Sequence, residues 1–280
     1  MRSSLLTHAA TALIALALPA TLAAHDFWIL PTNFQPAVGS AIGLHLLVGE
    51  HFVGERVPRS AAQIERFFVA GPSGEHEVAG RDGMDPAGLL RADAPGTWVV
   101  GYRSRPSRVE LAAGAFEQYL KEEGLEHVIA ERVRRGESSA PGREQFSRSV
   151  KSVLNVGGVG DGTGFNRILG LTLELVPERD PRQVDPAGLP IRLLYNGKPL
   201  ANAQIVVFRQ DEREAGPVEP VARLRSDREG RAVVPSSSGR WLIKAVQMRR
   251  AEEGSSVDWE SIWTSLTFSI PSGRAGGTQD

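Results

Sequence analysis

Residues 40–52 read SAIGLHLLVGEHF, and their spacing decides the fold class. Ile42, Leu44, Leu46 and Val48 occupy every second position, the period of a strand with one face in a core. His45 and Leu47 point the other way. The same alternation spreads outward. IERFFVAGPSGEHEVAG (64–80) holds two strand-like runs around a Gly-Pro-Ser-Gly turn. GLLRADAPGTWVVGYRS (88–104) places Trp98, Val100 and Tyr102 in alternation after a Pro-Gly turn.

Beyond Pro106 the period changes. Phe116, Leu120, Leu125, Val128, Ile129 and Val133 recur at helical spacing over 115–135, and Gly124 divides that stretch into two short helices. SAPGREQFSRSVKSVLNVG (139–157) predicts a third helix, with Phe146, Val150, Val153 and Leu154 on one side. GGVGDGTGFN (157–166) reads as a linker, since it lacks the Lys-Ser/Thr of a phosphate loop.

Strand patterns then resume. Leu171, Leu173 and Leu175 alternate, an Asn-Gly turn at 196–197 joins two strands, and WTSLTFSI (263–270) closes the series. The expected fold is mainly β, two β-sandwich domains of immunoglobulin or transthyretin type with a helical insertion. The expected boundaries are 25–108 for an N-terminal β domain, 109–164 for the helical insertion and linker, and 165–270 for a C-terminal β-sandwich. A disordered tail is expected over 271–280. The tryptophans, Trp28, Trp98, Trp241, Trp259 and Trp263, are expected in the core; Trp259 and Trp263 stand at helical spacing, so that one of the pair could instead face a partner or a sugar.

Residues 1–24 have the layout of a secretory signal peptide: Arg2, an apolar run over Ala9–Ala20, then small residues at Thr21-Leu22-Ala23-Ala24. Cleavage after Ala23 and cleavage after Ala24 both fit the small-residue rule. The run is too short to span a bilayer, so a soluble periplasmic protein is expected. There is no cysteine, which excludes disulfides, thiolate metal sites and thiol catalysis. A net charge of −1 provides no basic footprint for nucleic acid. No Gly-x-Ser-x-Gly elbow occurs, and no pair of carboxylates stands out, so an enzyme is not expected.

The chemistry that remains is metal ligation. If cleavage falls after Ala24, His25 becomes the N-terminal residue, and its amine and one ring nitrogen could chelate a single ion. His45 and His51 lie six residues apart across an expected strand end with Glu50 and Glu55 nearby, and imidazole with carboxylate suits nickel, cobalt, copper or zinc. If the first mature strand pairs beside the strand of His45, His25 and His45 could converge. The candidate ligands are therefore His25, His45 and His51. His76 and His127 read as surface residues.

The segments AHDFWILP, LLVGEHFVGERVPR, LTLELVPERDP, LLYNGKPLANAQIVVF, SDREGRAVVP and GRWLIKAV follow one another as in the DUF4198 family, also called nickel-transport-associated periplasmic proteins, which this chain resembles over nearly all of its mature length. The resemblance implies handling of a divalent transition metal, nickel or cobalt, for an uptake transporter in the membrane. Where many members carry a histidine just after the WLI strand, this chain has Ala245-Val246-Gln247-Met248. The alternative function is a non-metal interaction module that docks an envelope partner through its sandwich edges or helical insertion.

Overall fold

A computed structural model describes residues 25–158, 162–211 and 216–272. The expected signal peptide and most of the expected tail lie outside these residues. The alternating runs form strands, in chain order β1 (Asp26–Pro31), β2 (Ala41–Glu50), β3 (Val53–Val57), β4 (Ile64–Gly71), β5 (Gly74–Glu77), β6 (Gly88–Arg91), β7 (Gly96–Ser104) and β8 (Ser107–Leu111). Two helices follow, α1 (Ala113–Glu122) and α2 (Glu126–Arg135), and between them Gly124 takes φ +65°, a backbone region that favours glycine. The second strand series is β9 (Gly142–Val156), β10 (Leu173–Pro177), β11 (Leu189–Tyr195), β12 (Lys198–Pro199), β13 (Gln204–Gln210), β14 (Ala222–Arg225), β15 (Arg231–Val234), β16 (Gly239–Arg250) and β17 (Trp259–Ile270).

The predicted third helix is a correction. Residues 142–156 form the strand β9, inserted between β7 and β17. A central strand buries both faces, so its apolar residues need not alternate. Val150, Leu154 and Val156 enter one core and Val153 the opposite one. That two-sided burial produced spacings of four, three and one that imitate a helix.

The strands build one nine-stranded sheet, in the order β14-β13-β16-β17-β9-β7-β4-β5 with β8 on β9, and two four-stranded sheets, β1-β2-β3 with β6 and β10-β11-β12 with β15. The large sheet is antiparallel except where β9 meets β17 in parallel. The small sheets cover its opposite faces. Phe27, Ile29, Leu44 and Leu46 pack with Trp98, Val100 and Leu154 on one side, and Leu173, Leu175 and Ile191 pack with Val99, Ile243 and Leu266 on the other. Strands from all three expected segments therefore join the one large sheet: β4, β5 and β7 from before 108, β9 from 109–164, and β13, β14, β16 and β17 from after 165.

The two helices share a face of the large sheet with the β1 sheet. Phe116, Leu120 and Val128 rest on Phe146, Met248, Trp259 and Trp263. All five tryptophans are buried, and Trp259 and Trp263 belong to a strand under the helices, with neither facing solvent.

The strand β1 matters most for function. It is the edge of its own sheet, and its outward carbonyls need donors. Ser265 and Thr267 of β17 supply them, their hydroxyls donating to the Phe27 carbonyl at 2.8 Å and the Ile29 carbonyl at 2.7 Å. Trp28 closes the join, buried against Phe52, Phe208 and Leu242. The strand thus lies across the large sheet, and a cleft opens at each of its ends.

Candidate functional site

The cleft at the start of β1 has a volume of about 610 Å³ and lies between the β1–β2 pair and α1. His25, Glu50 and His51 form one wall, Glu122 and Tyr119 of α1 the other, and Lys244 of β16 the floor. Register explains the first wall. Asp26 pairs with Gly49, so His25 stands beside the end of β2, where the chain turns through His51 and Phe52 at φ 53° and 60°.

His25 Nδ1 lies 2.7 Å from Glu50 Oε1, yet off the line that a hydrogen bond requires, so the nitrogen has a carboxylate neighbour and no aligned partner. His51 is half exposed, its Nδ1 is 3.6 Å from Glu219, and its ring meets the edge of Phe208. Below them, the Lys244 ammonium sits 2.5 Å from Asp26 and 2.7 Å from Glu123, with the Trp263 ring 5.8 Å away. Burial disfavours this ammonium, but the charges of Asp26 and Glu123 outweigh burial and raise its pKa. Glu123 is also raised, because burial and the neighbouring Asp26 together exceed the pull of Lys244. Two acids share one base here, and the cleft is acidic in balance.

The three expected ligands are not brought together. β1 does pair with β2, but in a register that puts His45 opposite Leu30. At about 3.4 Å per residue, five positions separate it from His25 by about 17 Å. The buried His45 ring instead places Nδ1 2.6 Å from Asp85, whose other oxygen takes the Arg56 guanidinium at 3.0 Å. Burial raises the Asp85 pKa, but His45 and Arg56 more than compensate, so the carboxyl titrates below its usual range. Among the described residues no group of three or more His, Asp or Glu side chains forms an array that could hold a metal ion. The first cleft keeps His25 and His51; His45 belongs to a second one. Of the other histidines, His76 lies on the exposed β5, while His127 is exposed but places Nε2 3.0 Å from the Met248 carbonyl.

Sequence reasoning missed Lys244, Asp26 and Glu123. One signal was visible: WLIKAV (241–246) carries a single lysine in an otherwise apolar strand run, and a buried ammonium must find carboxylates. Lys151 in SVKSVL is a parallel case. Its ammonium is wholly buried 2.9 Å from Glu174, which also accepts from the Leu169 and Leu171 amides.

The fold defines a mainly β protein of stacked sheets. Residues 22–249 match the family model "Domain of unknown function (DUF4198)", and the chain belongs to that family. No curated protein matches the sequence. Among solved structures, the D0-D1 domain of intimin is similar at 11% identity and a TM-score of 0.20, with 88% of this chain and 98% of that one covered. An alpha-2-macroglobulin of Salmonella, the mutant Y1175G, gives 11% and 0.19, covering 90% of this chain and 15% of that one. Escherichia coli alpha-2-macroglobulin activated by porcine elastase gives 11% and 0.18, covering 89% and 20%. At these scores the likeness carries no argument about function. Among the described residues no helix is long and apolar enough to cross a membrane.

Proposed function

We propose that this protein is a non-enzymatic binding module of the periplasm whose acidic cleft takes a divalent transition metal, nickel or cobalt, as cargo for an uptake transporter. The observation that carries this reading is the His25–Glu50 contact. Two donors that sit about 2.1 Å from one ion at right angles stand about 3 Å apart, and the 2.7 Å separation without a hydrogen bond is close to that bite. His51 lines the same wall on a half-exposed side chain that can swing by rotamer change. Cleavage after Ala24 would add the α-amine of His25 as a further donor, and the transporter or a small chelator would complete the shell.

The test is calorimetric titration of the processed protein with Ni²⁺, Co²⁺, Cu²⁺ and Zn²⁺, its N-terminus fixed by mass spectrometry. The expected result is one site that weakens by about tenfold or more in His25→Ala and in His51→Ala and is unchanged in His45→Ala. No heat with any of the four ions, or full affinity in the double variant, would end the metal reading. The function would then be the docking of an envelope partner, for which the edge strand β5, exposed along its whole length, offers a pairing surface.

A further inference from the structure

The second cleft, at the far end of β1, has the opposite character. It has a volume of about 720 Å³, within the range of small-molecule sites. His45, Arg56 and Arg240 stand on its walls with Leu30 and Phe34, and among the described residues no Asp or Glu lines it. The other cleft is lined by Asp26, Glu50, Glu122 and Glu123. We propose that this second cleft binds a small organic oxyanion, a carboxylate or phosphate carried on an apolar body.

Three observations support the assignment. The first is orientation. Asp85, which is not among the lining residues, holds His45 Nδ1 at 2.6 Å and leaves Nε2 as the ring nitrogen that this carboxylate does not engage. Asp85 also takes one nitrogen of Arg56 at 3.0 Å, fixing a guanidinium whose side chain is otherwise 62% exposed. The second is the preference of guanidinium groups for planar oxyanions, which they meet with paired donors. Arg240, the second residue of β16, reaches the cleft positioned by a 2.8 Å bond to the Gln210 amide oxygen. The third is the mixed wall. Leu30, Pro31 and Phe34 lie beside neutral polar groups of Thr32, Asn33 and Gln35, so that a charged head and an apolar body can both be accommodated. The guanidinium groups of Arg56 and Arg240 outnumber Asp85, the one carboxylate that the described residues place against His45 and Arg56, and so favour an incoming anion.

Titrations with benzoate, benzamide and inorganic phosphate, read by calorimetry and by the His45 ring signals in NMR, test the site. Benzoate is expected to bind and to move the His45 signals, with the neutral benzamide about tenfold weaker or worse. Arg56→Gln and Arg240→Gln should each weaken benzoate by about fivefold or more. Arg56 is exposed and its variant is expected to fold, which keeps the test informative if Arg240→Gln does not. Phosphate equal to benzoate assigns recognition to the oxyanion alone, and weaker phosphate assigns part of it to the apolar wall. Equal binding of benzoate and benzamide, no binding of either anion, or anion binding that survives in Arg56→Gln would overturn the proposal. Titration of Ni²⁺ into the same variants reads the other cleft separately, so the two assignments fail independently.

Discussion

Glu144 shows how a single residue couples this fold to pH. It lies on β9 beneath α1, 2% exposed, with Oε1 accepting from Tyr119 at 3.1 Å and from the Ser261 hydroxyl, while Oε2 has no hydrogen-bond partner. Burial pushes its pKa up to about 7, and the bonds from Ser261, Tyr119 and Trp263 offset only part of that rise. The folded state therefore holds this proton more tightly than the unfolded chain does. Its contribution is complete below about pH 4.5 and is lost as pH rises through about 7, a change of about 3 kcal/mol. Urea unfolding at pH 5 and pH 8 should show that loss in the wild type, and Glu144→Gln should remove most of it. Lys151 makes the complementary case. Burial lowers the pKa of its ammonium, and Glu174 opposes that. Lys151→Met leaves a buried carboxylate without its cation, and the midpoint of urea unfolding should fall by the equivalent of about 3 kcal/mol.

At the scale of elements, the helix pair was legible and β9 was not. Phe116, Leu120, Leu125 and Val128 sit on one stripe because only one face of each helix meets the sheet, so their period survives in the sequence. The end of α2 was equally readable, with Arg134 and Arg135 in its last turn and Gly136 at φ 69° as the left-handed cap. In β9 the neighbours on both faces are supplied by distant segments, and no local pattern reports them. The junction between these elements depends on Gly142. A Cβ there would stand 2.3 Å from the Phe116 ring. Gly142→Ala must push α1 away from β9, and thermal unfolding should report a loss of about 1–3 kcal/mol. The same change at Gly114, where nothing lies within 4 Å, should be neutral or slightly stabilising.

The whole molecule is organised by its shared sheet. β17 pairs with β16 along one edge and, across more than a hundred residues of chain, with β9 along the other, from Trp259 opposite Glu144 to Thr267 opposite Ser152. A fragment of residues 165–272 would expose that second edge and the faces of Trp259 and Trp263. It is expected to show no cooperative thermal transition, whereas residues 25–272 should unfold in one step. The sheet also explains why the two clefts lie so close together. Lys244 and Arg240 are four residues apart on β16, and β1 crosses over them, with Asp26 at one end and Pro31 at the other.

Mainly β architecture, the β4–β5 hairpin, the helix pair and the kinship with DUF4198 proteins were all contained in the sequence, because each rests on residues near one another in the chain or on their order; the run 88–104, which also reads as a hairpin, instead sends β6 to β2 and β7 to the large sheet. Tertiary structure alone decided which histidines meet. His25 and His45 lie on adjacent strands, but the β1–β2 register places them at opposite ends, one beside Glu50 and the other on Asp85. Strand register and the second face of a central strand are set by packing against segments far away in sequence, and a local period holds no record of either.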